Sequence, residues 1–183
     1  MWSDSNLIKI LGDGQVAIMP TDTIYGLVGR ADRQDTVERI YKLRQRNPEK
    51  PCIILIGDIA ELKKFSISLS GSQKSELSKL WPGPVSVILE CKDEKFSYLH
   101  RGTHSLATRM PGSTELRELL LQTGPLLAPS ANPEGLSPAK NIEEARKYFG
   151  DDVDLYINGG EISSKPSRLL RLRSDGSAII LRE

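Results

Sequence analysis

The chain has 183 residues, enough for one domain with a substantial buried core. Hydrophobic residues make up 38% and charged residues 27%, which excludes a disordered chain, and no apolar run is long enough to cross a bilayer. A net charge of +1 argues against a broad basic surface as the main functional feature. The N-terminal Met1-Trp2-Ser3-Asp4 lacks the basic start and apolar stretch of a secretory leader, so a cytoplasmic protein is expected. Cys52 and Cys91, the two cysteines, both sit in apolar surroundings and read as buried free thiols.

Residues 5–12 read as a short amphipathic helix and 15–19 as a strand, after which Pro20-Thr21-Asp22-Thr23-Ile24-Tyr25-Gly26-Leu27 leaves the strand end and Gly26 lets the chain bend away. Asp35 with Glu38 has the spacing of a capping box, and Val37, Ile40, Tyr41 and Arg44 follow helical periodicity, predicting a helix to about Arg46. Asn47-Pro48 stops it. Cys52–Ile56 is a fully apolar strand, 58–65 and 73–80 are helices, and Pro82-Gly83-Pro84 is a turn before a strand at 85–89. A strand at 106–110, a helix at 113–122 and a strand at 126–128 follow. Asn141 with Glu144 caps a helix through Phe149, and strands at 154–157, 169–172 and 178–181 finish the sheet. This alternation predicts a single α/β (α+β) domain over 1–183, with a twisted, mostly mixed sheet flanked by helices.

Familiar catalytic signatures are missing. There is no Walker loop and no nucleophile elbow, and Gly12-Asp13-Gly14 precedes a strand where a dinucleotide fingerprint would follow one. His100 and His104 are interrupted by Gly102 and accompanied by no cysteine pair, so they read as solvent-facing loop histidines rather than a zinc site. What remains is a set of strand-end and helix-end groups. Arg44, Arg46 and Lys50 suit phosphate or carboxylate, although cations at a helix C-terminus also simply complement its dipole. Arg109, within a strand, must escape burial or find an anion, either a ligand or a structural carboxylate. Pro129-Ser130-Ala131-Asn132 leaves another strand end with small donors and acceptors.

In order along the chain, Pro20–Leu27, Arg44-Gln45-Arg46 with Lys50-Pro51, Trp81-Pro82-Gly83-Pro84, Thr108-Arg109-Met110-Pro111, Pro129-Ser130-Ala131-Asn132, Lys165-Pro166-Ser167 and Leu181-Arg182 together resemble the YrdC/TsaC family of threonylcarbamoyl-AMP synthases, in its short form. The resemblance implies a YrdC-like fold. It also implies a nucleotidyltransferase that makes threonylcarbamoyl-adenylate and pyrophosphate from L-threonine, bicarbonate and ATP with Mg²⁺, with no organic cofactor and no protein-held metal. A downstream tRNA threonylcarbamoyl transferase complex would use the product, and tRNA itself is a further partner to consider. By matched position, Thr23, Arg109, Ala128 and Ser167 would hold threonine, and Arg46, Lys50, Ser105, Ser130, Asn132, Ser137 and Arg182 would hold ATP. Arg44, with Arg46 and Lys50, would act in catalysis by stabilising developing charge.

The chain departs from the family pattern in places. Asp22 stands for the usual Glu, Arg44 for Lys, and Leu55 for a position that in longer members is often a His touching threonine. Two other readings compete. One is an RNA-binding module using Arg39, Lys42, Arg46 and Lys50, or Arg168, Arg171 and Arg173. The other is a carbamoyl-adenylate domain like those inside hydrogenase-maturation carbamoyltransferases, whose long chains carry zinc-finger-like segments not present here.

Overall fold

The computed structural model describes all residues from Met1 to Glu183. The strands are β1 (Ala17–Pro20), β2 (Tyr25–Arg30), β3 (Ile53–Leu55), β4 (Val85–Glu90), β5 (Ser105–Arg109), β6 (Leu126–Leu127), β7 (Leu155–Tyr156), β8 (Arg168–Leu172) and β9 (Ala178–Arg182). They form one sheet in the order β7-β1-β2-β6-β3-β5-β4-β8-β9. β1/β7, β3/β5 and β4/β8 are parallel and the other neighbours antiparallel, so the sheet is mixed as expected.

Alternation along the strands builds two cores. Ala17, Met19, Val28, Leu55 and Leu126 face one side and pack with Leu7 and Leu11 of α1 (Ser5–Gly12) and with Leu116, Leu119 and Leu120 of α5 (Thr114–Thr123). Val16, Ile18, Tyr25, Leu27 and Ile54 face the other, larger core. That core also takes residues from α2 (Gln34–Leu43), α3 (Gly71–Leu80), α4 (Ser97–His100) and α6 (Ile142–Phe149). Cys52 and Cys91 are buried free thiols, and burial pushes both above the ordinary thiol range. No helix is long and apolar enough to cross a membrane.

Several elements differ from the sequence reading. Gly26 does not bend the chain away; Tyr25–Arg30 returns as β2, paired antiparallel to β1. The glycines that hide this strand allow close approach. A Cβ on Gly29 would lie 2.5 Å from Thr36 Cγ2 and 3.2 Å from Ile40 Cδ1, so α2 rests directly on the β2 backbone. α2 starts after Arg33 without a side-chain cap, because the Asp35 carboxylate is taken by Arg33 at 3.0 Å. It ends at Leu43, since Gln45 turns to φ 48°. Residues 59–65 form a 3₁₀ helix capped by Asp58, and α3 begins at Gly71 because Ser70 and Gln73 close a reciprocal capping box. Asn141 caps α6 as expected, but Glu144 reaches back to the Lys140 amide instead of the cap residue. α4 carries only four residues, too short for periodicity to register.

Candidate active site

The β1–β2 turn and the Pro129–Asn132 loop are stitched into one wall. Leu27 N–H donates to Pro129 O at 3.0 Å and Ala131 N–H to Tyr25 O at 2.9 Å, with Gly26 opposite Ser130. Thr21 organises the turn, its hydroxyl donating to Ile24 O at 2.7 Å while lying 3.2 Å from the Thr23 hydroxyl. On either side of this wall lies a cavity. The first, about 350 Å³, is lined by four arginines (Arg44, Arg46, Arg171 and Arg182), with Thr103, Ser105 and Ser130, and by no carboxylate. The second, about 280 Å³, is lined by Thr21, Thr23, Arg109, Ala128, Asn132 and Ser167 among others. Ile53, Pro129, Ser130 and Arg182 line both.

Each cation is held differently. Arg44, directly after α2, is buried without a carboxylate partner; its Nε donates to Asn132 O at 2.9 Å, and its Nη2 lies 3.2 Å from Ser130 Oγ and 3.3 Å from Asn132 Oδ1. Burial lowers its pKa, and the Asn132 carbonyl and amide oxygens supply the acceptors that keep it charged. Arg46 donates to Lys50 O at 3.1 Å and Pro51 O at 3.0 Å, shaping the loop beside the first cavity. Arg182 donates to Ser167 O at 2.7 Å, and Ser167 in turn shares a buried 2.8 Å hydroxyl contact with Ser86. Arg109 is paired with Asp22 at 2.9 Å, the ion pair that its burial demands, and still lines the second cavity.

The structure therefore brings Arg44, Arg46, Ser105, Ser130 and Arg182 to the first cavity, and Thr23, Arg109, Ala128, Asn132 and Ser167 to the second. It leaves two expected residues outside both. Lys50 is paired with Glu134 at 2.8 Å, and exposed Ser137 contributes its carbonyl to Tyr148. Leu55 lies in the α1/α5 core and lines neither cavity, while Ile53, on the same face of β3 and packed against the same core, reaches both. Sequence reading missed Arg171 as a cavity residue, although its place between apolar Leu170 and Leu172 on β8 marks it as pointing away from the core. The basic patches are partly neutralised, with Arg39 held by Asp154 at 2.6 Å.

His100 corrects another expectation. It is buried, and the Gly102 N–H donates to its Nδ1 at 3.2 Å. Its ring lies beside exposed His104 and Glu94, and its Nε2 is buried with no hydrogen-bond partner.

Comparison with known proteins places this geometry. The family model for Sua5, YciO and YrdC, described as "Telomere recombination", matches residues 9–183. A threonylcarbamoyl-AMP synthase of Marinobacter nauticus is 34% identical over 160 residues, covering 86% of this chain and 84% of the relative. One from Hahella chejuensis is 31% identical over 186 residues, covering 100% and 98%. The crystal structure of P. abyssi Sua5 complexed with L-threonine superposes with a TM-score of 0.83 at 25% identity over 97% of this chain, which spans about half (52%) of that longer protein. The ordered strand-end motifs, the mixed sheet that carries them and these matches agree: the chain belongs to the Sua5/YciO/YrdC family.

Proposed function

We propose that this protein is a threonylcarbamoyl-AMP synthase, a nucleotidyltransferase serving tRNA modification. The observation that carries the reading is the pair of adjoining cavities: four arginines and no carboxylate in one, a buried arginine among small hydroxyl residues in the other, and Ser130 and Arg182 between them. A triphosphate suits the first and an amino-acid carboxylate the second. In the reaction, the threonine amine adds to bicarbonate with loss of water, giving a carbamate. A carbamate oxygen attacks the α-phosphorus of ATP, the bond to the bridging oxygen breaks, and pyrophosphate leaves. The nucleophile comes from the substrate, so the protein's part is to hold two anions together and to stabilise the charge that builds as they react.

Arg46, Ser105, Ser130 and Arg182, at the first cavity, hold the nucleotide; Asn132, at the second cavity, positions Arg44, and Lys50 would join them only by breaking its contact with Glu134. Thr23, Arg109, Ala128 and Ser167 hold threonine. Arg44 supports the wall between them and adds positive charge. Magnesium would enter as part of the nucleotide substrate and would offset the charge on its phosphates. Purified protein with MgATP should release pyrophosphate only when threonine and bicarbonate are both added. Arg46→Ala should lower that rate at least tenfold. Release independent of threonine would sink the reading.

A further inference from the structure

Asp22 lies at the base of the β1–β2 turn and lines neither cavity. Its Oδ1 accepts from Arg109 Nη2 at 2.9 Å, and its Oδ2 accepts from the Gly112 amide at 3.2 Å. Both side chains are out of water, at 8% and 5% exposure. The pairing is through one nitrogen only. Arg109 Nε is buried with no acceptor, so the guanidinium keeps unused donors while it lines the cavity. Arg109 and Arg182 are the charged residues of that lining, and the Asp22 carboxylate behind Arg109 balances one of the two. Arg182 is assigned to the nucleotide, so Arg109, with donors that Asp22 does not take up, is the cation left for an amino-acid carboxylate. We infer that Asp22 is the positioning residue that aims Arg109 at the carboxylate of the amino-acid substrate, an inference that rests on the synthase reading.

The physical reasoning is that a buried guanidinium without its partner is uncompensated. It would turn to other acceptors or towards solvent, and would lose the fixed fork that recognises a carboxylate. Anchoring by Gly112 ties the Asp22 carboxylate to the loop after β5, the strand that carries Arg109, so the turn and the strand end hold the pair from both sides. Asp22 acts through Arg109 and makes no contact with substrate of its own.

The test is a double-mutant cycle on the full chain, with Michaelis constants for threonine and ATP measured separately and folding checked by thermal unfolding. D22N should raise KM for threonine at least tenfold while KM for ATP stays within twofold. R109Q should raise KM for threonine as well, and adding D22N to R109Q should change it no more than twofold further. An unchanged KM for threonine in D22N, equal rises in both constants, or a further rise in the double variant would each overturn the role. Should D22N alone fail to fold, D22E, which leaves no buried cation unpaired but moves the carboxylate by one methylene, takes its place: a rise of at least threefold in KM for threonine with KM for ATP unchanged supports the role, and an unchanged KM for threonine overturns it. The unmodified protein is assayed alongside. If it shows no turnover that requires threonine, the synthase reading falls and this inference with it. If it turns over normally and D22N matches it, the role of Asp22 alone falls.

Discussion

Glu134 shows how one carboxylate can restrain a loop. Its Oε1 accepts from Lys50 at 2.8 Å, its Oε2 accepts from the Asn47 amide, and its own amide donates to Arg44 O at 2.7 Å. Lys50 and the Asn47 amide hold its carboxyl down to about 2. The sign follows from the lowered value. The contribution to stability is complete above the ordinary carboxyl value of 4.5 and drains away as pH falls through about 2. A carboxyl-detected NMR titration should place the Glu134 midpoint near 2, and K50A should move it upward. A midpoint near 4.5 in the unmodified protein would show that the contact is not held in solution. The same contact explains why Lys50, legible as a phosphate-binding candidate from its Lys-Pro motif, lies outside the cavity: sequence spacing reveals a cation but not the acid 84 residues later that claims it.

At the scale of elements, the amphipathic helices and the apolar strands were legible because burial imposes a period that the residues repeat. The β1–β2 hairpin was not. Gly26, Gly29 and Arg30 break the strand pattern, yet Gly29 is in the strand because helix α2 leaves no room for a side chain there. G29A would place a methyl group 2.5 Å from Thr36 Cγ2. Overpacking of that kind costs about 1–3 kcal/mol, and each kcal/mol lowers the melting temperature of a chain this size by roughly 2–4 °C. The helix should shift outward and carry Arg44, which directly follows it, away from Ser130 and Asn132. Thermal unfolding and the pyrophosphate assay should both register the change, and a melting temperature equal to that of the unmodified protein would show that the contact is looser than drawn. Short elements such as α4, and the 3₁₀ character of 59–65, stayed hidden because too few residues carry the signal.

For the whole molecule, the site motifs were readable one by one, but the division of labour was not. Arg109 alone left ligand and structural carboxylate equally open, and the fold resolves this by supplying Asp22 while keeping the side chain in the cavity wall. Arg171 and Ile53 join the lining only because β8 and β3, far apart in sequence, are neighbours of β4 and β5 in the sheet. The shared wall of Ile53, Pro129, Ser130 and Arg182 has a kinetic consequence. A molecule bearing an amino acid at one end and a nucleotide at the other is a bivalent ligand for the two cavities, and once one end is seated the other faces its own cavity at an effective concentration in the millimolar range or above. The adenylate of the proposed reaction would be such a molecule, whereas pyrophosphate would engage one cavity only. Rapid mixing should therefore show a first equivalent of pyrophosphate formed faster than all later ones, and a linear trace from the first turnover would rule this out. A product held in this way would be sheltered from hydrolysis until an acceptor drew it off.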